Sequence, residues 1–436
     1  METAPSVWTS DPGTMAHETA KFRWPKLMQG MIEDVFETMT ELAPSPALDE
    51  IESIRIRLHT LRDEIISNDK LRTLNEDGSA DIVTYNQLLL DTSTFSWLNC
   101  PWLLGECYLY RRVQLLFSTS SFWKEYDLFK RQKDSTLIKS QKAVEELASR
   151  FTKVVINPEM PLKGLDTGAA RLVFVEMTEL ALWGNATDLS LLTNLSLEEI
   201  QTLQGKAAIE ASQKNIVDND VDQVWDYLRE ERSNQTKRHI DIVLDNAGFE
   251  LFADILYTAY LIESGLATSI TLHAKCFPWF VSDVTPSDMD FLLEHLQSIG
   301  LKSLSTLTKK YLKLGKIRIE VHPFWTTAFS FHEMKVEAPD LFKRLRDSYL
   351  TIWKGDLNYR KLTRDGLWPH TTPFKSAIGP LGEGSGLKVL ALRTNKSDTC
   401  VGIESEERVE SLNREAPGMG WVRNGKYGVI SFSDGT

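Results

Sequence analysis

The chain predicts an α/β protein: a mostly parallel, three-layer α/β/α Rossmann-like sheet domain preceded by an all-helical part. Three observations carry that expectation. The first half shows apolar residues at helical spacing, whereas the second half alternates short β-branched runs with helical segments. At Ile240–Glu250 an apolar strand-like run ends in Asp245-Asn246, and a new helical pattern starts at once. Strand, polar turn and helix form the junction where open α/β sheets place their ligands.

In the first half, Trp24-Pro25 is a good helix start, and Leu27, Met31 and Val35 with Met28, Ile32 and Phe36 make one wide stripe. Further helices are expected from about Leu48 to Ile66, from Pro101 to Phe117 and from Leu137 to Phe151. Ser196-x-x-Glu199 has the pattern of a capping box. Residues 205–238 are polar and charged and read as an exposed helical connection. Strands are expected at Ile240–Leu244, Thr268–His273, Ile317–Val321, Tyr349–Trp353, Leu387–Arg393 and Gly428–Phe432, with helices near 249–263, 286–298, 302–313 and 337–348. The implied organisation is a helical subdomain over 16–180, a helical connection over 181–239, and an α/β domain over 240–436.

Bulk properties exclude several classes. Hydrophobic residues at 42% and charged residues at 25% are globular proportions, so wholesale disorder is not expected. A net charge of −12 argues against non-specific nucleic-acid binding, which needs a basic surface. It leaves room for a local basic pocket that takes a small anion. Cys100, Cys107, Cys276 and Cys400 lack CxxC spacing, so reduced thiols are expected rather than a disulfide framework or a zinc site. The first residues show no basic-then-apolar leader, and no apolar run reaches membrane-spanning length. The expected location is the cytosol, with nuclear access.

Polar residues recur just past the expected strands. Asp245 and Asn246 are followed by Glu250; Ser282-Asp283 follow the second strand; Lys354-Gly-Asp356-Leu357-Asn358-Tyr359-Arg360 follow the fourth; Arg393-Thr-Asn-Lys396 end the fifth. Gly184-Asn185-x-x-Asp188 and Glu106 lie upstream. Each has a plain structural reading. Asp245, Asn246, Asn185 and Asp188 can cap helices, and Glu106 and Arg112, on one expected helix, can each make an intra-helix or buried salt bridge. Set beside one face of one sheet, Asp245, Asn246 and Asp283 supply hard oxygen donors, and Lys354, Arg360 and Lys396 supply cations for an anion.

Asp-Asn-x-Gly-x-Glu at 245–250, Phe-Val-Ser-Asp at 280–283, Lys-Gly-Asp-Leu-Asn-Tyr-Arg at 354–360 and Arg-Thr-x-Lys at 393–396 together resemble the metal-dependent damage-control phosphatases. The last motif is similar to that of subfamily III, which includes proteins also described as acidic-residue (protein-glutamate) methyltransferases. Arg23-Trp-Pro-Lys26 and the stretch Pro101–Arg112 extend the resemblance over nearly the whole chain. The resemblance implies a divalent metal (manganese, cobalt, nickel or magnesium) on Asp245, Asn246 and Asp283. It also implies catalysis supported by Lys396, and substrate contacts from Glu250, the 356–360 segment, Lys396, Asn185 and Glu106. The implied activity is phosphomonoester hydrolysis on small phosphorylated metabolites, such as fructose 1-phosphate or fructose 6-phosphate, by metal-activated water. The alternative is S-adenosylmethionine-dependent protein-glutamate O-methylation. Against it, the chain has no glycine-rich loop after a first strand, because Gly379–Gly386 precedes its strand.

Overall fold

The computed structural model describes residues 4–90, 94–156, 162, 167–184, 213–234 and 237–436. Its helices of eight or more residues are α1 (Trp24–Thr40), α2 (Pro46–Ile66), α3 (Asp81–Leu90), α4 (Trp102–Ser118), α5 (Lys130–Lys139), α6 (Gln141–Val154), α7 (Thr167–Trp183), α8 (Val221–Asn234), α9 (Phe249–Glu263), α10 (Pro286–Ser298), α11 (Lys302–Lys313), α12 (Pro339–Asp347), α13 (Gly355–Leu362) and α14 (Glu406–Glu415). The strands are β1 (Ile216–Asn219), β2 (His239–Val243), β3 (Ser269–Ala274), β4 (Ile317–Val321), β5 (Leu350–Lys354), β6 (Val389–Thr394) and β7 (Gly428–Ser433).

The seven strands form one sheet in the order β1-β7-β6-β5-β2-β3-β4. Five run parallel; β7 lies antiparallel to β6, and β1 runs with β7. From β2 the chain steps outward through β3 and β4, then returns to the other side of β2 as β5. The β2/β5 boundary is therefore the topological switch point, where a crevice opens at the carboxyl ends of the strands.

Both faces of the sheet are covered, and the period of two assigns residues to them. Ile240, Ile242, Ile352, Leu390, Leu392 and Ile430 join the apolar cluster that holds α6, α7, α9 and α10. Their neighbours Val243, Trp353, Val389, Ala391 and Val429 join the opposite cluster with Trp325, Phe331 and Trp421. Every residue of α9 from Phe249 to Ile262 is buried, which is why it carries little polar periodicity. A third cluster, built from α1 to α4, reaches the α/β part through Trp279, Ala328 and Leu357.

All six expected strands are present within two residues of their expected ends. Three differences stand out. The helix expected over Leu137–Phe151 is two helices, parted at Ser140, whose hydroxyl donates to the Thr136 carbonyl at 2.9 Å and competes with the helical ladder. α3, α7, α13 and α14 lie in stretches for which no individual helix is expected. The stretch read as an exposed helical connection contributes strand β1 and helix α8, with Val221, Val224, Trp225 and Leu228 buried at helical spacing. The capping-box pattern at 196–199 lies outside the described residues. A capping box does form at Thr285 and Asp288, opening α10. Among the described residues no helix is long and apolar enough to cross a membrane.

Candidate active site at the carboxyl edge of the sheet

The chain leaving β2 and the loop after β3 are zipped together. Leu244 N–H donates to the His273 carbonyl (3.1 Å), Ala247 N–H to Ser282 (2.7 Å), Val284 N–H to Asp245 (2.9 Å) and Lys275 N–H to Val284 (2.8 Å). An antiparallel bridge between Asn246 and Asp283 completes the pairing. Main-chain bonding thus sets Asp245 and Asn246 beside Asp283. The turn that brings Asp283 back holds Phe280 and Val281 at φ 44° and 68°, a strained conformation for both side chains.

The acids gathered here are only partly balanced by cations: Lys275 pairs with Asp283 and Lys354 with Glu250, while Asp245 has no salt-bridge partner among the described residues. Burial pushes the Asp245 carboxyl well above the usual aspartate range, the charges of Glu250 and Asp283 push further, and Lys275 and Lys396 only partly oppose them. Burial also raises Asp283, although Lys275 pulls the other way. The Lys275 ammonium sits 2.8 Å from Asp283 Oδ2 and donates to the Leu244 carbonyl at 2.8 Å. Asn246 Nδ2 donates to Asp245 Oδ2 (2.6 Å) and to Glu250 Oε2 (2.7 Å), while its Oδ1 accepts from the Ser282 hydroxyl. The amide N–H₂ therefore spans two carboxylates, where positive charge is wanted.

Asp245, Asp283 and Glu250 bring carboxylate oxygens, the donor type that suits a hard divalent cation, to one corner of the site. Raised carboxyl pKa values in so small a space are the signature of charge that a cation would relieve. Among the described residues no three His, Cys, Asp or Glu side chains surround a single metal position. The expected set of two aspartates and an amide is a different donor composition, and the Asn246 oxygen faces Ser282 rather than the acids.

The other wall comes from β5 and β6. Gly355 has φ 84°, and a Cβ there would fall inside the Asp245 carboxylate, so only glycine allows this approach. No side chain caps α13, so its first N–H groups are left at the switch point beside Asp245. The side chains of the 356–360 segment turn inward. Asp356 Oδ1 accepts from Arg393 Nε (2.8 Å), Lys396 N (3.0 Å) and the Ser397 hydroxyl (3.0 Å), which shapes the turn that presents Lys396. Burial would raise Asp356, but the charges of Arg393 and Arg360 and the Lys396 N–H prevail and hold it below the usual range. Leu357 packs into the helical cluster. Asn358 Nδ2 donates to the Lys354 carbonyl (2.7 Å) and the Leu244 carbonyl (3.3 Å), tying β5 to β2. The Tyr359 hydroxyl accepts from Val401 N at 3.1 Å.

The bidentate fork of Arg360, expected to face an anion, is held by both oxygens of Asp365 at 2.9 Å; its third nitrogen donates to Glu106 at 2.7 Å, and its plane lies 3.7 Å from the Trp102 ring centre. Lys354, also expected to face an anion, is buried against Asp254 (2.7 Å) and Glu250 (3.3 Å). Lys396 differs from both: among the described residues no acid pairs with its ammonium, and its charge bears on Asp245. Asn185 and Asp188 lie outside the described residues; Gly184, just before them, packs against Glu250. Lys275 and Asp365 had no assigned role in the sequence reading. The signal for Lys275 was its place one residue past the end of β3.

A family model described as the damage-control phosphatase ARMT1-like domain matches residues 19–412. The chain belongs to that family. It is 32% identical over 438 residues to the mouse damage-control phosphatase ARMT1, covering 97% of each chain. It is 32% identical to the Xenopus laevis protein of the same name and 30% identical to the human one, covering 98% of each chain in both cases. A solved DUF89 family protein from Pyrococcus horikoshii aligns over 87% of this chain and 92% of its own, at 14% identity and a TM-score of 0.40. Membership makes this chain an enzyme of the phosphatase class.

Proposed function

We propose that this family member hydrolyses phosphomonoesters of small metabolites in a metal-dependent reaction, with sugar phosphates such as fructose 1-phosphate and fructose 6-phosphate as the substrate class and the cytosol as its location. The observation that carries this reading is Asp245, a buried acid beside Asp283 and Glu250 that has no cation paired with it among the described residues and lies at the β2/β5 switch point within the field of Lys396. Asp245 and Asp283, with Asn246 once its Oδ1 turns from Ser282, would hold manganese, cobalt, nickel or magnesium. Bound there, such a cation supplies Lewis acidity toward a phosphoryl oxygen and makes a nucleophilic water available near neutral pH.

The chain's own groups do the rest. Lys396 is a point charge placed to neutralise the phosphoryl oxygens as charge builds on them. The free N–H groups opening α13 offer donors to the same oxygens, so contacts expected from the 356–360 side chains fall to the main chain. Glu250, whose oxygens accept from Asn246 and Lys354, would accept a further hydrogen bond from a substrate hydroxyl. Asp356 and Arg393 fix the turn that carries Lys396, and Arg360 holds Glu106 and Asp365 at the wall. The methyltransferase alternative gains no observation here, since the turn after β2 is acidic rather than glycine-rich.

The test is phosphate release from a panel of sugar phosphates, using chelator-treated protein resupplied with each metal in turn. Wild-type release should depend on added metal and vanish in Asp245→Ala and Asp283→Ala. Release that persists without metal, or is unchanged in both variants, would overturn the proposal.

A further inference from the structure

The helical half contains a cavity of about 350 Å³ that has no part in the site above. Arg57 on α2, Arg72 on the segment that follows it and Arg112 on α4 line it, with Glu64 as its one acid. Glu64 is shared, pairing with both Arg72 and Arg112, the latter at 3.2 Å. No acid pairs with Arg57 among the described residues. Three guanidinium groups against one carboxylate leave a local charge of about +2 (three minus one, with Arg and Glu both ionised at neutral pH) on a chain whose net charge is −12. That local reversal of sign calls for a ligand.

The walls are held in place before any ligand arrives. The Tyr108 hydroxyl donates to the Arg72 carbonyl at 2.6 Å, accepts the Arg72 N–H at 3.2 Å, and receives an Arg112 nitrogen at 2.9 Å. Tyr108 is fully buried, so one phenol fixes two of the three basic positions. Two residues on, the Asn86 carboxamide clamps Leu74 through both its N–H (2.6 Å) and its carbonyl (2.9 Å). The clamps leave Thr73 and Asn75 exposed at the rim as neutral hydrogen-bonding groups.

The cavity is separate from the acid cluster. Glu106 on α4 points to Arg360, while Tyr108 and Arg112 face the cavity. Two residues of helix turn a side chain by roughly 200°, so the two sites lie on opposite faces of one helix. The volume falls in the range of small-molecule sites, and planar guanidinium forks match phosphate oxygens two at a time.

We propose that this cavity binds a small phosphate-bearing anion at a site distinct from the active site. Thr60, Thr73 and Asn75 would contact the neutral part of the ligand, and Arg57 and Arg72 the phosphate.

Inorganic pyrophosphate, titrated calorimetrically into full-length chelator-treated protein, tests this. With the Lys396→Ala substitution silencing the sheet-edge cation, one saturable site should remain, weakening as salt rises. Adding Arg57→Ala and Arg72→Ala should weaken it at least about tenfold. Both side chains are exposed, so melting curves should stay unchanged. Arg112→Lys, which keeps the charge but loses the fork, should also weaken binding. Absence of a saturable site in the Lys396→Ala chain, equal affinity after loss of both arginines, or citrate binding as tightly as pyrophosphate would overturn the proposal.

Discussion

Two kinds of carboxylate stand at the same edge of one sheet, one half-buried and one buried, and they are built in opposite ways. Asp356 is enclosed by the Arg393 guanidinium, a main-chain N–H and a hydroxyl, and is held below its ordinary pKa. Asp245 and Asp283 lie deeper; Lys275 pairs with Asp283, but Asp245 has the charges of Glu250 and Asp283 beside it with Lys275 and Lys396 only partly opposing, and both are pushed up. The first group is complete as it stands and serves as scaffold. The second is kept short of positive charge, which costs stability and creates affinity for a cation. The arginines here belong to the scaffold, while Lys396, which pairs with no acid among the described residues, acts on Asp245.

Substitutions in each group should separate these roles. Asp245→Asn should take phosphate release to background while leaving the melting temperature in chelator equal to or above that of wild type, because it removes a charge from a like-charged cluster. A clear loss of thermal stability would place Asp245 with the scaffold instead. Arg393→Met should do the reverse in kind, taking the buried guanidinium from the half-buried Asp356 at a cost of ~1–3 kcal/mol in denaturant unfolding. Lys396→Ala should leave stability alone and cost about 2.7–4 kcal/mol of transition-state stabilisation, seen in kcat, by analogy with a lost oxyanion-hole donor.

The smallest effect concerns Asp218 on β1, an acid with neither arginine nor metal-site neighbours. Burial and then the charge of Asp220 raise it to about 8, against the opposing bond from the Ser431 hydroxyl. A raised folded pKa means the native state keeps a proton that the unfolded chain releases above about 4. Its contribution to stability therefore falls as pH rises from there to about 8, and is flat beyond. Asp218→Asn should gain on wild type across that window in urea titrations. A constant difference between the two proteins would show that Asp218 does not titrate with folding.

The fold was readable because its main elements carry strong local signals. Ile240 to Leu244 reads as a buried strand from its apolar run, and α10 and α11 lie where helices are expected near 286–298 and 302–313. β1 was not readable, since four residues with one buried apolar side chain make a strand only once β7 is there to pair with it. The break at Ser140 depends on a single hydroxyl bond. At the site, the identity of the chemistry-bearing residues was legible but their aim was not. Nothing in Lys-Gly-Asp-Leu-Asn-Tyr-Arg says that a helix starts at Gly355 and turns Asp356 toward Arg393, or that Asp365, five residues on, takes the fork of Arg360.

The bare α-carbon of Gly355 has a consequence for how this enzyme tolerates change. Most positions in a protein trade one side chain for another at graded cost, but here any side chain at all must displace the Asp245 carboxylate. A saturation library at codon 355 should therefore return a single amino acid under selection for turnover, whatever the substrate offered. Neighbouring positions that only pack, such as Leu357, should return several.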